Sequence, residues 1–188
     1  TGTQVAALQT ADLSKFSTNA LSALSNSAVS ALTTSQIATL TTAQTASLTT
    51  DQIKQLSTAQ IVALTTAQTS VLITEQMSAL SGTQVAAIET ADFAAITTAQ
   101  ITAFTSAQVK SLTADQVGAL TTAQVSQLST AQLAGLNVKQ MASMETADVA
   151  AITTAQITGL TTAQVAGLTT AQVVALTSDQ VKNLTTAQ

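Results

Sequence analysis

The chain has 188 residues, of which 46% are hydrophobic, 7% charged and 2% aromatic, and its formal net charge is −4. It contains 38 Thr but no Cys, His, Arg, Pro, Trp or Tyr, which excludes disulfides, Cys or His metal ligation, Ser–His and Cys–His nucleophiles, imidazole acid–base chemistry and arginine clamps. With five Lys as its only cations, it offers neither a basic patch for a phosphate backbone nor an aromatic platform for bases, so nucleic-acid binding is not expected.

The low charge does not signal disorder, because there is ample apolar surface to bury. That surface is strictly periodic. Every residue numbered at a multiple of eight, from Leu8 through Phe16, Leu24 and Leu32 to Leu184, is large and apolar, and no insertion or deletion breaks the phase. We take these residues as position zero. Position one is then Ser or Thr in 19 of 24 cases, position four is Gln in 19 of 24, and position five is apolar in 21 of 23. Positions three, six and seven are mostly Ala, with some Ser, Gly and Lys.

The predicted elements follow in chain order. The chain opens in register with TGTQVAAL, then passes through its least regular stretch, residues 14–31, where Ala20 and Ala28 replace Gln and Ser is abundant. Leu24 and Val29 keep phase there, so no domain boundary is read. From Leu32 the units run LTTSQIAT, LTTAQTAS, LTTDQIKQ, LSTAQIVA and LTTAQTSV, and they continue in phase to Gln188. Ser/Thr followed three residues later by Gln is a capping box, and positions zero and five fall where the two residues of a hydrophobic staple belong. Each unit therefore encodes a helix start, and each start requires that the preceding helix has stopped. The expected fold is all-α: a solenoid of very short, about two-turn helices, one per eight-residue unit, from position one to about position seven. Asp51, Asp115 and Asp179 fall in first turns, and Lys54, Lys110 and Lys182 in last turns, as the helix dipole favours. Lys139, in a first turn, breaks that rule.

Two other architectures fit less well. In one continuous helix the apolar stripe would rotate by about 80° per unit. In a β-solenoid, positions zero and five would point to opposite faces of a straight strand, and regular Gly or Asn corners are missing. Because isolated helices shorter than about 12 residues are marginal in water, the units must stack on neighbouring repeats, their expected partners. The 188 residues read as a single continuous array of about 23 octapeptide units, cut from a longer one, with self-association as a further expectation. The recurring Thr/Ser and Gln clusters leave no spanning stretch for membrane insertion. No secretory signal is read at Thr1, which lies inside a repeat.

Three units depart together. QTAD at Gln9–Asp12 and ETAD at Glu89–Asp92 and Glu145–Asp148 put Asp at position four, and position one is then Gln or Glu. The favoured reading is an alternative cap, with Thr90 and Thr146 as the N-cap residues. A divalent-cation site at Glu89, Asp92, Glu145 and Asp148 is the weaker alternative, since Ca²⁺ wants six to eight oxygens and each pair brings two carboxylates. Near-copies 56 and 80 residues apart, ETADFAAITTAQIT with ETADVAAITTAQIT and GTQVAAL with GTQVAAI, indicate growth by duplication of multi-unit blocks. Phe16, Phe93, Phe104, Met77, Met141 and Met144 occupy core positions and read as packing. The Thr at position two is the only hydroxyl row not used in capping.

The tandem LTTAQ(V/I)AA units resemble octapeptide repeat tracts of very large bacterial secreted or cell-surface proteins. The resemblance implies an extended spacer or stalk of an adhesin-like protein outside the cell, and it carries over no binding residue. The expected function is thus a non-enzymatic structural repeat module with no cofactor. The alternative is a binding module that uses the regular Thr-bearing face for protein, glycan or ice.

Overall fold

A computed structural model describes residues 1–188 and is all-helical, with 23 helices from Gly2–Ala6 to Ser178–Asn183, each four to six residues long. Each octapeptide contributes one. Position one is the N-cap, with extended backbone (Thr41 at φ −69°, ψ 159°), and the helix proper begins at position two. Its end needs no glycine, and no residue has positive φ. The residue at position zero instead turns extended (Leu48 at φ −59°, ψ 135°) while its N–H still donates to the position-five carbonyl, as in Leu48 N to Thr45 O at 3.3 Å. Two consecutive extended residues make the corner, which is why the Gly and Asn of ordinary helix ends are absent.

The packing falls into two compact units, Thr1–Ile96 and Thr97–Gln188. Inside each, a helix packs on the third one further along. In the first unit Gly2–Ala6 packs on Asn26–Ser30, and in the second Ser106–Lys110 packs on Thr130–Gly135 and Thr146–Ala151 on Thr170–Ala175. These are the nearest-neighbour contacts of a short-helix solenoid.

Positions zero and five form the core. Leu40, Leu48, Leu56 and Leu64 are buried in the first unit, as are Leu120, Leu128, Leu136 and Ile152 in the second. Position-five residues such as Ile37, Ile53, Val125 and Leu133 are buried beside them. Phe93, Phe104, Met77, Met141 and Met144 are buried in the same rows, as expected of packing residues. The two polar exceptions at position five, Thr45 and Thr69, are also buried, and Thr45 bonds its hydroxyl back to Thr41 O at 3.1 Å, one turn earlier. In the last helices the position-five residues Val173 and Val181 are exposed, so that side of a unit is normally covered by the helices that follow it.

Small residues at positions six and seven mark where coils approach. A Cβ on Gly135 would lie 3.2 Å from Ser106 O, and one on Gly118 only 2.9 Å from Ser143 O. At Gly159 it would meet Thr130 Cγ2 at 1.8 Å. Ser143 uses the same closeness, donating its hydroxyl to Ala114 O, 29 residues earlier, at 2.8 Å. No helix is long and apolar enough to cross a membrane.

Candidate functional site: the glutamine clamp and its aspartate variants

The chemistry of this chain is concentrated at position four. All 19 position-four glutamines accept through Oε1 from the backbone nitrogen of position one. In most units the position-one hydroxyl returns the bond by accepting the glutamine N–H, as Ser81 Oγ does from Gln84 N at 3.2 Å. These are the two halves of the expected capping box. Ile73 has no oxygen to offer, so only the glutamine half survives there, with Ile73 N donating to Gln76 Oε1 at 2.9 Å.

The side chain does a second job. Its Nε2 donates to carbonyls of the coil before. Gln84 Nε2 reaches Ile53 O at 2.9 Å and Leu56 O at 2.8 Å, and Gln156 Nε2 reaches Val125 O at 2.9 Å, Ser126 O at 3.4 Å and Leu128 O at 2.6 Å. The acceptors lie 31, 30 and 28 residues earlier and belong to a helix C-terminus, where carbonyls lack their i+4 donors. The position-five carbonyl there has only the position-zero N–H, as Val125 O has Leu128 N at 3.2 Å. With helices packing on their third neighbours, this separation sets the superhelical repeat at between three and four helices per turn. The glutamines are buried accordingly. One amide thus starts its own helix and caps the end of another in the adjacent coil.

The first glutamine to reach an earlier coil is Gln36, whose Nε2 donates to Val5 O at 2.9 Å and Leu8 O at 2.8 Å. The irregular stretch of the sequence lies just before it. Asp12, Ala20 and Ala28 occupy position four there and have no amide with which to clamp.

At Asp92 and Asp148 the clamp is altered inside the array. Helices Thr90–Ala94 and Thr146–Ala151 have Glu89 and Glu145 as N-cap residues, and neither side chain caps the helix. The expectation that Thr90 and Thr146 shift into the cap is therefore corrected. Packing holds the eight-residue phase, and the start cannot slip by one without moving Phe93 and Val149 out of the core. Asp92 is buried and accepts a hydrogen bond from the Thr66 hydroxyl, 26 residues earlier. Asp148 is 2% exposed and its Oδ2 has no hydrogen-bond donor. Burial, reinforced by the nearby Glu145 carboxylate, pushes the Asp148 carboxyl up from 3.8 to about 6. No cluster of three or more His, Cys, Asp or Glu side chains is placed to hold a metal.

The remaining charges sit on the surface. Lys15–Asp12, Lys54–Asp51 and Lys182–Asp179 pair at 3.3, 3.1 and 3.7 Å with both partners largely exposed, a geometry that contributes little to stability. Most position-two threonines, Thr42, Thr58, Thr74, Thr98, Thr122, Thr154 and Thr162 among them, are exposed, while Thr10 and Thr50 are half-buried.

What sequence reasoning missed was the second function of the glutamine. The signal was present. A capping box accepts Glu as readily as Gln, yet position four is never Glu, and only the amide carries the N–H groups that the preceding coil requires.

No curated protein matches the chain in sequence. The family model of the ALTTAQ repeat matches residues 5–42, 45–82, 85–122, 117–146, 141–178 and 149–186. Every one of these matches starts at position five of a unit, so the family model follows the same eight-residue phase as the glutamine clamps. Together they cover most of the sequence, and the chain belongs to the ALTTAQ repeat family.

Proposed function

We propose that this array is a non-enzymatic spacer: a stalk-like segment that sets the distance between other parts of a secreted or cell-surface bacterial protein. The observation that carries this reading is the sameness of the clamp. Nineteen of 24 units carry the same glutamine and most repeat one set of bonds with near-constant distances, so length is the property that changes as units are added. The resemblance to repeat tracts of large bacterial surface proteins supports the adhesin-like context. The test is small-angle scattering on a series lengthened or shortened by whole blocks of units. A spacer expects the maximum dimension to change by a constant step, about 8–10 Å for each added layer of helices. A dimension that does not scale with block number refutes the reading.

A second reading, a binding module, is favoured by the exposure of the position-two threonines. It expects thermal hysteresis in ice, or a rise in melting temperature with one glycan or protein ligand. Unchanged melting and freezing across such a panel would remove it.

A further inference from the structure

Asp148 stands where its flanking units place an amide. One unit to either side, Gln140 Nε2 lies 2.6 Å from Leu112 O and 3.2 Å from Lys110 O, and Gln156 Nε2 lies 2.6 Å from Leu128 O and 2.9 Å from Val125 O. The carbonyls that stand in the same relation to Asp148 are those of Val117, Gly118 and Leu120, at the C-terminal end of helix Ala114–Gly118. That end carries the negative pole of the helix, and elsewhere the glutamine brings hydrogens to it. Here the facing side chain brings only oxygens. Asp148 Oδ2 is buried and has no donor, and Glu145 at position one of the same unit adds a second negative charge nearby. Asp92 meets the same replacement differently, by accepting from the Thr66 hydroxyl, whereas Asp148 receives no such bond from Thr122. By register a buried carboxylate thus faces three backbone carbonyls, of which Val117 O also accepts from Leu120 N at 3.3 Å, and carboxylate and carbonyl oxygens are the donor set of a hard cation.

We propose that Asp148 and the backbone carbonyls of Val117, Gly118 and Leu120 bind one Ca²⁺ ion between successive coils, in the place that the glutamine amide holds in the other units. The ion tightens the two coils there as the clamp does elsewhere. Dimensions favour Ca²⁺ over Mg²⁺. The amide nitrogens of the flanking units sit 2.6–3.4 Å from their carbonyls, closer to the roughly 2.3–2.6 Å of Ca²⁺–O bonds than to the roughly 2.0–2.1 Å of Mg²⁺. Two carboxylate oxygens and three carbonyls nearly complete the coordination, and Glu145 or water supplies the rest. Because most of the ligands are backbone, the site needs no cluster of three acidic side chains.

The test uses the full chain stripped with EDTA and dialysed at pH 7.5 against calcium. The expected result is one Ca²⁺ retained per chain and a rise in melting temperature with calcium. Asp148→Gln, which restores the amide and so folds at least as well, should weaken binding by at least tenfold and abolish the calcium-dependent rise. Asp92→Gln should leave both unchanged. The proposal is overturned if the wild-type chain retains no calcium, if Asp148→Gln retains as much, or if melting responds to acid alone, which would assign the place to a proton.

Discussion

Replacing Gln156 by Ala removes both halves of one clamp. The substitution deletes the acceptor of the Thr153 N–H, bonded at 2.7 Å, and the donors to Val125 O and Leu128 O at 2.9 and 2.6 Å. Gln156 is 3% exposed, so water does not replace these bonds without opening the seam between coils. A buried polar group left without its partner costs about 1–3 kcal/mol. Val125 O keeps the Leu128 N–H at 3.2 Å, so Leu128 O and the Thr153 N–H are the groups orphaned, and the sum is about 2–6 kcal/mol. That is a large fraction of the roughly 5–15 kcal/mol by which domains are stable. Gln4→Ala is the internal control, because Gln4 is exposed and bonds only within its own cap, so its loss should cost under about 1 kcal/mol. Gln156→Glu isolates the amide: it keeps the box acceptor but replaces the donors with charge facing carbonyls, so at neutral pH it should be at least as damaging as Ala. Urea denaturation measures the totals. Exchange of the Ile157 amide, which donates to Thr153 O at 2.9 Å, reports the local loss. If Gln156→Ala and Gln4→Ala differed by less than about 1 kcal/mol, the inter-coil clamp would not be what holds successive turns together.

Other substitutions test the remaining parts. In EDTA, Asp148→Asn should stabilise the chain at pH 7 by up to about 3 kcal/mol, the equivalent of the shift from 3.8 to about 6. The folded chain holds the Asp148 proton more tightly than the unfolded one, so the penalty on the wild type is full above pH 6, fades as the pH falls through about 6, and is gone below 3.8. Urea melts at pH 7 and pH 4 should therefore show the two proteins converging on acidification. Gly118→Ala places a Cβ 2.9 Å from the Ser143 backbone oxygen, which cannot swing aside, and should cost about 1–3 kcal/mol by thermal melting. Gly159→Ala meets the Thr130 methyl instead, so a second change, Thr130→Ala, should recover most of its loss, which the Gly118 variant should not match. Leu120→Asp puts an unpaired charge at a site 4% exposed and should exceed the about 2–5 kcal/mol of a Leu→Ala truncation, with loss of helical circular dichroism around that turn.

The periodic positions were legible because each reports a local event. Thr49 with Gln52, and Leu48 with Ile53, specify a helix start within six residues, and nothing distant has to be known. The number of helices per turn was not legible, because it depends on which carbonyl a Gln Nε2 meets 28–31 residues away, and the eight-residue pattern is the same whatever that number is. The preference for Gln over Glu marked that a distant acceptor existed but not where. The aspartate units show the same division. Their departure stood out at once, but whether Asp92 would find Thr66 and Asp148 find nothing depends on side-chain placement across coils. The reading of Thr90 and Thr146 as shifted caps failed for a related reason: local capping preference lost to the core packing of Phe93 and Val149.

The fixed reach of the clamp also governs how such a chain is able to change length. Every inter-coil glutamine bond closes a loop of 28–31 residues, whether it lies early, as at Gln36, or late, as at Gln180, so the entropic cost of closure does not rise as units accumulate. Folding has no distant ends to bring together and is free to begin at any coil and spread. Inserting eight residues returns each glutamine to a carbonyl equivalent to the one it left, whereas inserting one residue misaligns every clamp that spans the insertion. Duplications of 56 and 80 residues, both whole multiples of eight, are the steps this rule permits. The bond geometry of a single amide thereby acts as a proofreading constraint on the lengths that an evolving gene can explore.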